Sequence, residues 1–307
     1  MEEVWVSRYE LEAANALNSR STRRFVEGAL VRIGPGFGCL HPWPELGDPT
    51  LEECLADLAG ARQFRIVKKT LVCIEADGGA REEGRSLFEG TEIPISHATL
   101  PELSGKAVEK AVERGFSHVK TKAGRDVVNE LEWVRQFMGC FPGLRWRIDF
   151  NETGKFDELT EIFQSWKIEE LGRIDFLEDP VRYHSGKWSK LSWATGLSLA
   201  NDRHQEEDGQ RSDVLVCKPA VDDLNKGSQR MVVTSYMDHP LGQCFAAWEA
   251  GAVRCREICG LQTHDLFERS VFSEVLGDAG PEFRPPGGIG LGFGDLLEDL
   301  QWFRLKG

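Results

Sequence analysis

Six ionisable residues stand at or just beyond the C-terminal ends of successive strand-like runs. Lys120 and Lys122 end the run that begins Phe116-Ser117-His118-Val119. Asp149 follows Leu144-Arg145-Trp146-Arg147-Ile148, and Glu178 follows Ile174-Asp175-Phe176-Leu177. Asp202 comes after Leu197-Ser198-Leu199-Ala200, and Lys218 after Val214-Leu215-Val216-Cys217. In a barrel of parallel strands those ends share one face, where active sites are built. Three carboxylates converging there cannot all stay ionised without counter-charge. A Mg²⁺ ion resolves the repulsion, because it takes oxygen ligands and leaves places for water or substrate oxygens; Mn²⁺ is the expected substitute. No His-Glu-x-x-His motif or Cys/His cluster competes for a softer metal. Taken singly, each Asp or Glu reads as an ordinary loop opener after a strand. In order, and flanked by lysines, the set does not.

Two lysines beside a metal suit the removal of a proton from the carbon next to a carboxylate. The metal would stabilise the enediolate that forms. A lysine close to other cations has a lowered pKa and acts as a base nearer neutrality. The i, i+2 spacing of Lys120 and Lys122 puts both on one strand face.

These residues need a scaffold that repeats strand and helix. From about residue 92 apolar runs alternate with amphipathic stretches, at roughly the spacing of a βα unit. To the runs above are added Ile93-Pro94-Ile95 and Met231-Val232-Val233-Thr234, with an eighth near Ile258. Helices are predicted from Gly105 to Arg114 and from Val127 to Phe137, where Val127, Leu131 and Val134 share a face. The expectation is an α/β fold, a modified TIM-type (β/α) barrel over residues 92–279. An open doubly wound sheet is the alternative, weakened by the lack of Gly-x-Gly-x-x-Gly after an early strand. Residues 1–91 lack this alternation and read as a separate α+β capping domain. Within it Ala29–Ile33 is strand-like, Gly34–Gly38 a turn-rich break, and Thr50 with Glu53 a capping box. The segment 280–307 is rich in glycine and proline before a last helix at about Asp295 to Phe303. It is expected to return to the capping domain, and Gly287–Gly292 lacks the Lys-Ser/Thr of a phosphate loop.

The chain has 307 residues and a formal net charge of −13. Such a surface repels phosphate backbones and anionic lipid, so neither nucleic acid nor membrane is an expected partner. No apolar run reaches the roughly 18–20 residues that span a bilayer, and Met1–Trp5 lacks the order of a signal peptide. A cytoplasmic monomer acting on a small-molecule carboxylate is expected. The eight cysteines form no Cys-x-x-Cys pair and read mostly as buried reduced thiols.

The ordered motifs resemble the muconate-lactonizing branch of the enolase superfamily, where the lysine–metal arrangement is established. Lys120-Thr121-Lys122 is similar to that branch's Lys-x-Lys, and Arg147-Ile148-Asp149-Phe150-Asn151 to its Arg-x-Asp-x-Asn. Phe176-Leu177-Glu178-Asp179-Pro180 resembles its third strand motif, and Val216-Cys217-Lys218-Pro219 the strand with the second lysine. Gly36-Phe37-Gly38 with Pro42 and Pro44, Val233–Tyr236 and Cys259–Thr263 resemble o-succinylbenzoate synthases. The resemblance implies a hydro-lyase of menaquinone biosynthesis that forms o-succinylbenzoate through an enediolate. Lys122 would move protons, Lys218 would hold the anion, and Arg147 would support the site. Asp149, Glu178 and Asp202 would bind Mg²⁺. Lys120, Asn151, Thr234 and Ser235 would contact substrate, and a loop around Ser19 to Arg24 would cover it.

Three departures stand out. Cys39 replaces the glutamate common after Gly-x-Gly. Asp202 lies in Ala-Asn-Asp-Arg, with Glu206, Glu207 and Asp208 as alternative ligands. Thr234-Ser235-Tyr236 is bulkier than the usual serine-rich stretch. His184 and His204 fall just past strand ends, as further candidates for the mouth. The alternatives are an N-acylamino-acid racemase or dipeptide epimerase on the same barrel, and an inactive barrel that serves as a binding protein.

Overall fold

The computed structural model describes residues 3–14, 23–202, 212–224 and 229–306. Its strands are β1 (Val4–Glu12), β2 (Phe25–Ile33), β3 (Gly36–Leu40), β4 (Ala98–Leu100), β5 (His118–Lys122), β6 (Arg145–Asp149), β7 (Ile174–Glu178), β8 (Leu199–Asn201), β9 (Val214–Cys217), β10 (Arg230–Val233) and β11 (Phe303–Arg304). The helices used below are α1 (Leu51–Ala59), α2 (Arg65–Glu82), α3 (Gly105–Glu113), α4 (Val127–Cys140), α5 (Phe156–Gln164), α6 (Ile168–Leu171), α7 (Ser185–Thr195), α8 (Pro240–Ala252), α9 (Val271–Leu276) and α10 (Gly294–Glu298). No helix among the described residues is long and apolar enough to cross a membrane.

The N-terminal sheet is antiparallel, in the order β11-β1-β2-β3. Thr50 starts α1 with the expected capping box: its hydroxyl accepts from Glu53 N–H at 3.3 Å, and the Glu53 carboxylate accepts from Thr50 N–H at 2.8 Å. Gly34 and Pro35 make the turn before β3, but Gly36-Phe37-Gly38 is strand, not the predicted break. The glycines are there because α2 crosses very close to β3. A Cβ on Gly36 would lie 2.1 Å from the Ile74 carbonyl oxygen, and one on Gly38 would lie 2.8 Å from the Ile74 side chain.

The tail joins this layer. The predicted helix to Phe303 stops at Glu298, and Phe303 and Arg304 pair with Val6 and Trp5 instead. Leu296, Leu297, Leu300 and Phe303 have helical spacing, but the open edge of β1 offers unpaired backbone groups that a helix leaves unused. Buried Asp77 fastens tail to sheet. One of its oxygens accepts from Phe37 N–H at 2.9 Å and the other from Leu291 N–H at 2.6 Å, while Arg81 Nε lies 2.6 Å away.

The second layer is the expected barrel. β4 to β10 run parallel and in sequence order. The run near Ile258 closes the ring through only two residues. Cys259 N–H donates to the Ile95 carbonyl at 2.8 Å, and its own carbonyl accepts from His97 N–H at 2.7 Å. On the other side Gly260 N–H donates to the Val233 carbonyl at 2.9 Å, and its carbonyl accepts from Ser235 N–H at 3.0 Å. The first strand lies at Ala98–Leu100 rather than Ile93–Ile95, and Pro94 has no N–H to give a ladder.

Alternation sorts the strands. Val119, Trp146, Ile148, Ile174, Leu177 and Leu199 face the helices and pack with Leu131, Val134, Leu159, Phe163 and Leu191. Phe176, Ala200, Val214, Val216 and Val232 fill part of the interior. One irregularity decides the site. Trp146 pairs with Ile174 but Arg147 pairs with Phe176, so Asp175 is the extra residue of a bulge. A regular strand continuing from outward Ile174 would turn Glu178 toward the helices. The bulge turns it inward, beside Asp149.

Two stability predictions follow from buried charge. Asp77→Ala leaves the Arg81 Nε–H and two backbone N–H groups without their acceptor. It should cost roughly 3–5 kcal/mol, read as a lower denaturant midpoint at unchanged slope. His41 and His239, between cap and barrel, are each pushed down by burial to about 3. The unfolded chain protonates both below their ordinary value of about 6.5, whereas the folded chain does not. Their stabilisation is therefore complete above that value and is lost as pH falls toward 3. Adjacent Asp238, raised by burial to about 7, has the opposite slope. The histidines' share is therefore read by difference: a His41→Asn, His239→Asn double variant should lose less stability between pH 6.5 and 4 than the wild type. An equal loss would contradict buried, neutral histidines.

Candidate active site

β5 places Lys120 and Lys122 on its inner face, with Val119 and Thr121 buried on the outer face. Lys122 lies in register with Asp149, and Asp149 with Glu178. Asp202 follows β8 and stands one step nearer the mouth, since Glu178 is level with Ala200. Lys122, Asp149, Asp202 and Lys218 line one cavity of about 90 Å³, together with Lys120, Asn151, Thr234 and Ser235. It adjoins a second hollow of about 420 Å³ that shares Leu46, Asp202, Lys218 and Tyr236.

The charges arrange themselves as two groups. Lys120 Nζ lies 2.6 Å from Glu178 Oε1 and 3.2 Å from Asp149 Oδ2. Lys218 Nζ is hydrogen-bonded to Asp202. Burial would lower Lys120, but Asp149, Glu178 and Asp202 outweigh it and hold the ammonium above its ordinary range. Lys218 is raised in the same way, against burial, first by Asp202 and then by Glu178. Burial pushes Glu178 up to about 7, and Asp149 and Asp202 add to the rise against the pull of Lys120. Asp149 stays below its ordinary value: burial opposes this, but Lys120 and Lys122 prevail.

The three expected ligands thus do not form a ready cation cage, and no group of three His, Cys, Asp or Glu does so among the described residues. The donor set nevertheless fits a hard divalent ion. All donors are carboxylate oxygens, and Glu178, raised first by burial and then by Asp149 and Asp202, is a carboxyl whose charged form a divalent ion would favour.

Other expected residues divide. Asn151 orients Asp149: its backbone and side-chain N–H groups each donate to Asp149 Oδ1 at 3.0 Å. Thr234 Oγ1 is buried with no hydrogen-bond partner, whereas Ser235 Oγ is bound to Thr263 Oγ1 at 2.8 Å. Thr234 is therefore the hydroxyl with capacity for a substrate oxygen. Arg147, expected among the catalytic groups, does not line the cavity. Its guanidinium donates to Asp175 at 2.8 Å, His97 Nδ1 at 2.8 Å and the Ile258 carbonyl at 2.7 Å. It braces the barrel beneath the site, because inward from the rim only these acceptors meet its planar fork. Cys39 points to Tyr9 at 3.3 Å, within the cap. Exposed His184 caps α7. His204, Glu206, Glu207, Asp208 and Ser19 to Thr22 lie outside the described residues.

Sequence reasoning missed three contributors. Asp179 accepts from Asp202 N–H at 3.2 Å, and burial followed by the charges of Asp202, Glu178 and Asp149 holds its carboxyl far above its ordinary range. Its signal was the second acid of Glu178-Asp179-Pro180. His97 lines the cavity and, accepting from Arg147 at Nδ1, carries its hydrogen on Nε2. Nothing marks it in the sequence. Trp43 Nε1 donates to the Tyr236 carbonyl at 2.8 Å, and Tyr236 OH to Asp48 at 2.8 Å. This clamp between cap and barrel sets Leu46 at the cavity.

Removing one internal cation tests this balance. Lys120→Met should lower the melting temperature in chelator, and millimolar Mg²⁺ should restore more stability to the variant than it adds to the wild type. An equal Mg²⁺ response would show that Lys120 and a metal do not compete to neutralise the same carboxylates.

Comparison with known proteins adds relatives to this geometry. The family model described as "O-succinylbenzoate synthase, N-terminal domain" matches residues 4–80. An o-succinylbenzoate synthase of Bdellovibrio bacteriovorus is 29% identical over an alignment covering 100% of this chain and 99% of that protein. An enolase-superfamily member from Listeria innocua superimposes with a TM-score of 0.78 at 13% identity, covering 99% of this chain and 98% of that one. A dipeptide epimerase from Enterococcus faecalis, in complex with Mg and the dipeptide L-Leu-L-Tyr, gives 0.78 at 17% identity over 95% and 99% of the two chains.

Proposed function

We propose, for a chain that has the enolase-superfamily fold and resembles o-succinylbenzoate synthases, that it forms o-succinylbenzoate by dehydrating a succinyl-hydroxycyclohexadiene carboxylate in menaquinone biosynthesis. The likeness to an o-succinylbenzoate synthase along the whole chain favours this reading, and the observation that makes it chemically workable is the opposition of two lysines. β5 and β9 are the second and sixth members of the ring that runs from β4 to β10 and closes at Cys259-Gly260, so they stand four apart, across the barrel. Lys122 and Lys218 therefore reach a substrate from opposite sides, above Asp149, Glu178 and Asp202.

A Mg²⁺ ion held by those three carboxylates would stabilise negative charge on the substrate carboxylate as the neighbouring carbon loses its proton. The protein's own groups do the rest. The neutral amine of Lys122 takes the α-proton. The electron pair left behind spreads into the carboxylate, beside the ammonium of Lys218. As the carbon–oxygen bond breaks, Lys122 returns its proton to the departing hydroxyl, which leaves as water. The ring becomes aromatic, and that gain supplies much of the driving force. Lys120 adds positive charge beside Asp149 and Glu178, Asn151 keeps Asp149 oriented, and Thr234 offers its hydroxyl to the succinyl end.

The same opposition would serve a racemase or epimerase, where both lysines must exchange protons. One pair of variants separates the readings. Wild type should turn over the dehydration substrate with added Mg²⁺, and Lys122→Ala should reduce the rate by about 10²–10⁴-fold. Lys218→Arg should keep measurable dehydration while abolishing any racemisation of N-acylamino acids. No wild-type turnover, or equal turnover by Lys122→Ala, would remove the dehydratase assignment.

A further inference from the structure

At the opposite end of the barrel, the segments before β4 and before the closing strand frame an open cavity of about 830 Å³. Cys255 lines it between Arg254 and Arg256, both exposed. Its sulfur lies 3.6 Å from that of Cys259, which is buried in the seam that closes the ring. Cys255 Sγ also donates to the Met231 carbonyl at 3.1 Å. The two thiols thus differ in access but share a contact.

We propose that Cys255 and Cys259 are a hydroperoxide-oxidisable pair that closes to an intramolecular disulfide. The Cys255 thiolate attacks the peroxide oxygen–oxygen bond and keeps one oxygen as a sulfenic acid, releasing an alcohol or water. The Cys259 sulfur then displaces that oxygen, which leaves as water with the proton of the Cys259 thiol. Two electrons pass from the sulfurs to the peroxide, so no other oxidant is needed.

Reactivity and geometry agree. The bond to Cys259 brings the Cys255 thiol down to about 7, a range in which attacking thiolate is present at neutral pH. Burial holds the Cys259 thiol protonated, so in the second step its proton must pass to the departing sulfenic oxygen as the sulfur–sulfur bond forms. Bonding needs the sulfurs to close from 3.6 Å to about 2.05 Å. Residues 255–257 lie outside any helix or strand, so this approach need not break a regular element. A loop this short gains little chain entropy from closure, so the bond should be readily reversed by dithiothreitol.

The test treats the full chain with hydrogen peroxide, alkylates the remaining thiols and maps the peptides by mass spectrometry. The expected result is a Cys255–Cys259 disulfide that dithiothreitol removes. Cys255→Ser should leave Cys259 alkylatable after peroxide, and Cys259→Ser should leave a Cys255 sulfenic acid that dimedone traps. If Cys259→Ser does not fold, the wild-type map decides alone. Oxidation confined to exposed Cys140, or a Cys255 sulfinic acid with Cys259 still free, would overturn the proposal.

Discussion

Negative charge gathered in a low-dielectric rim has to be matched within a few ångströms, and this molecule is organised around that requirement. Asp149, Glu178, Asp179 and Asp202 come together where water is largely excluded. Lys120 and Lys218 answer them directly. Beneath them a second charge system repeats the logic with opposite emphasis. Arg147 is fully buried, and Asp175 balances it while also holding Arg230, which in turn holds Glu257. A single unpaired member of either system would cost several kcal/mol. The barrel interior is therefore half apolar, through the inner cluster around Val214 and Val216, and half ionic.

The cap is held to this core by polar contacts as much as by apolar ones. The clamp of Trp43, Asp48 and Tyr236 crosses between the layers, and buried Asp77 ties β3, α2 and the tail together. Apolar packing alone would let the layers slide. Directional bonds set where Leu46 meets the cavity.

Much of this was legible because strand ends, caps and charge carry local signals. The βα repeat, the Thr50 cap and the order of charged strand ends are visible as spacing. The closing strand is barely visible, because two residues between partners on both sides need no long apolar run. The tail strand was hidden by spacing that suits a helix, and only the free edge of β1 decides against it. Arg147 is expected to support the site, but that it does so from beneath is not legible, because sequence order shows which strand face a residue occupies and not which acceptors a long side chain meets. His97 carries no signal, since its role comes from a partner 50 residues away. Gly36 and Gly38 were legible as glycines but not for their reason, which is the approach of α2.

The bulge at Asp175 gives β7 the property of a counted frame. Upstream residues are read in one parity and downstream residues in the other. Over evolutionary drift such a strand can exchange side chains freely while keeping its carboxylate inside. It cannot lose a backbone unit at that point unless another is gained nearby, because the inward position of Glu178 is stored in the number of residues and not in their identity.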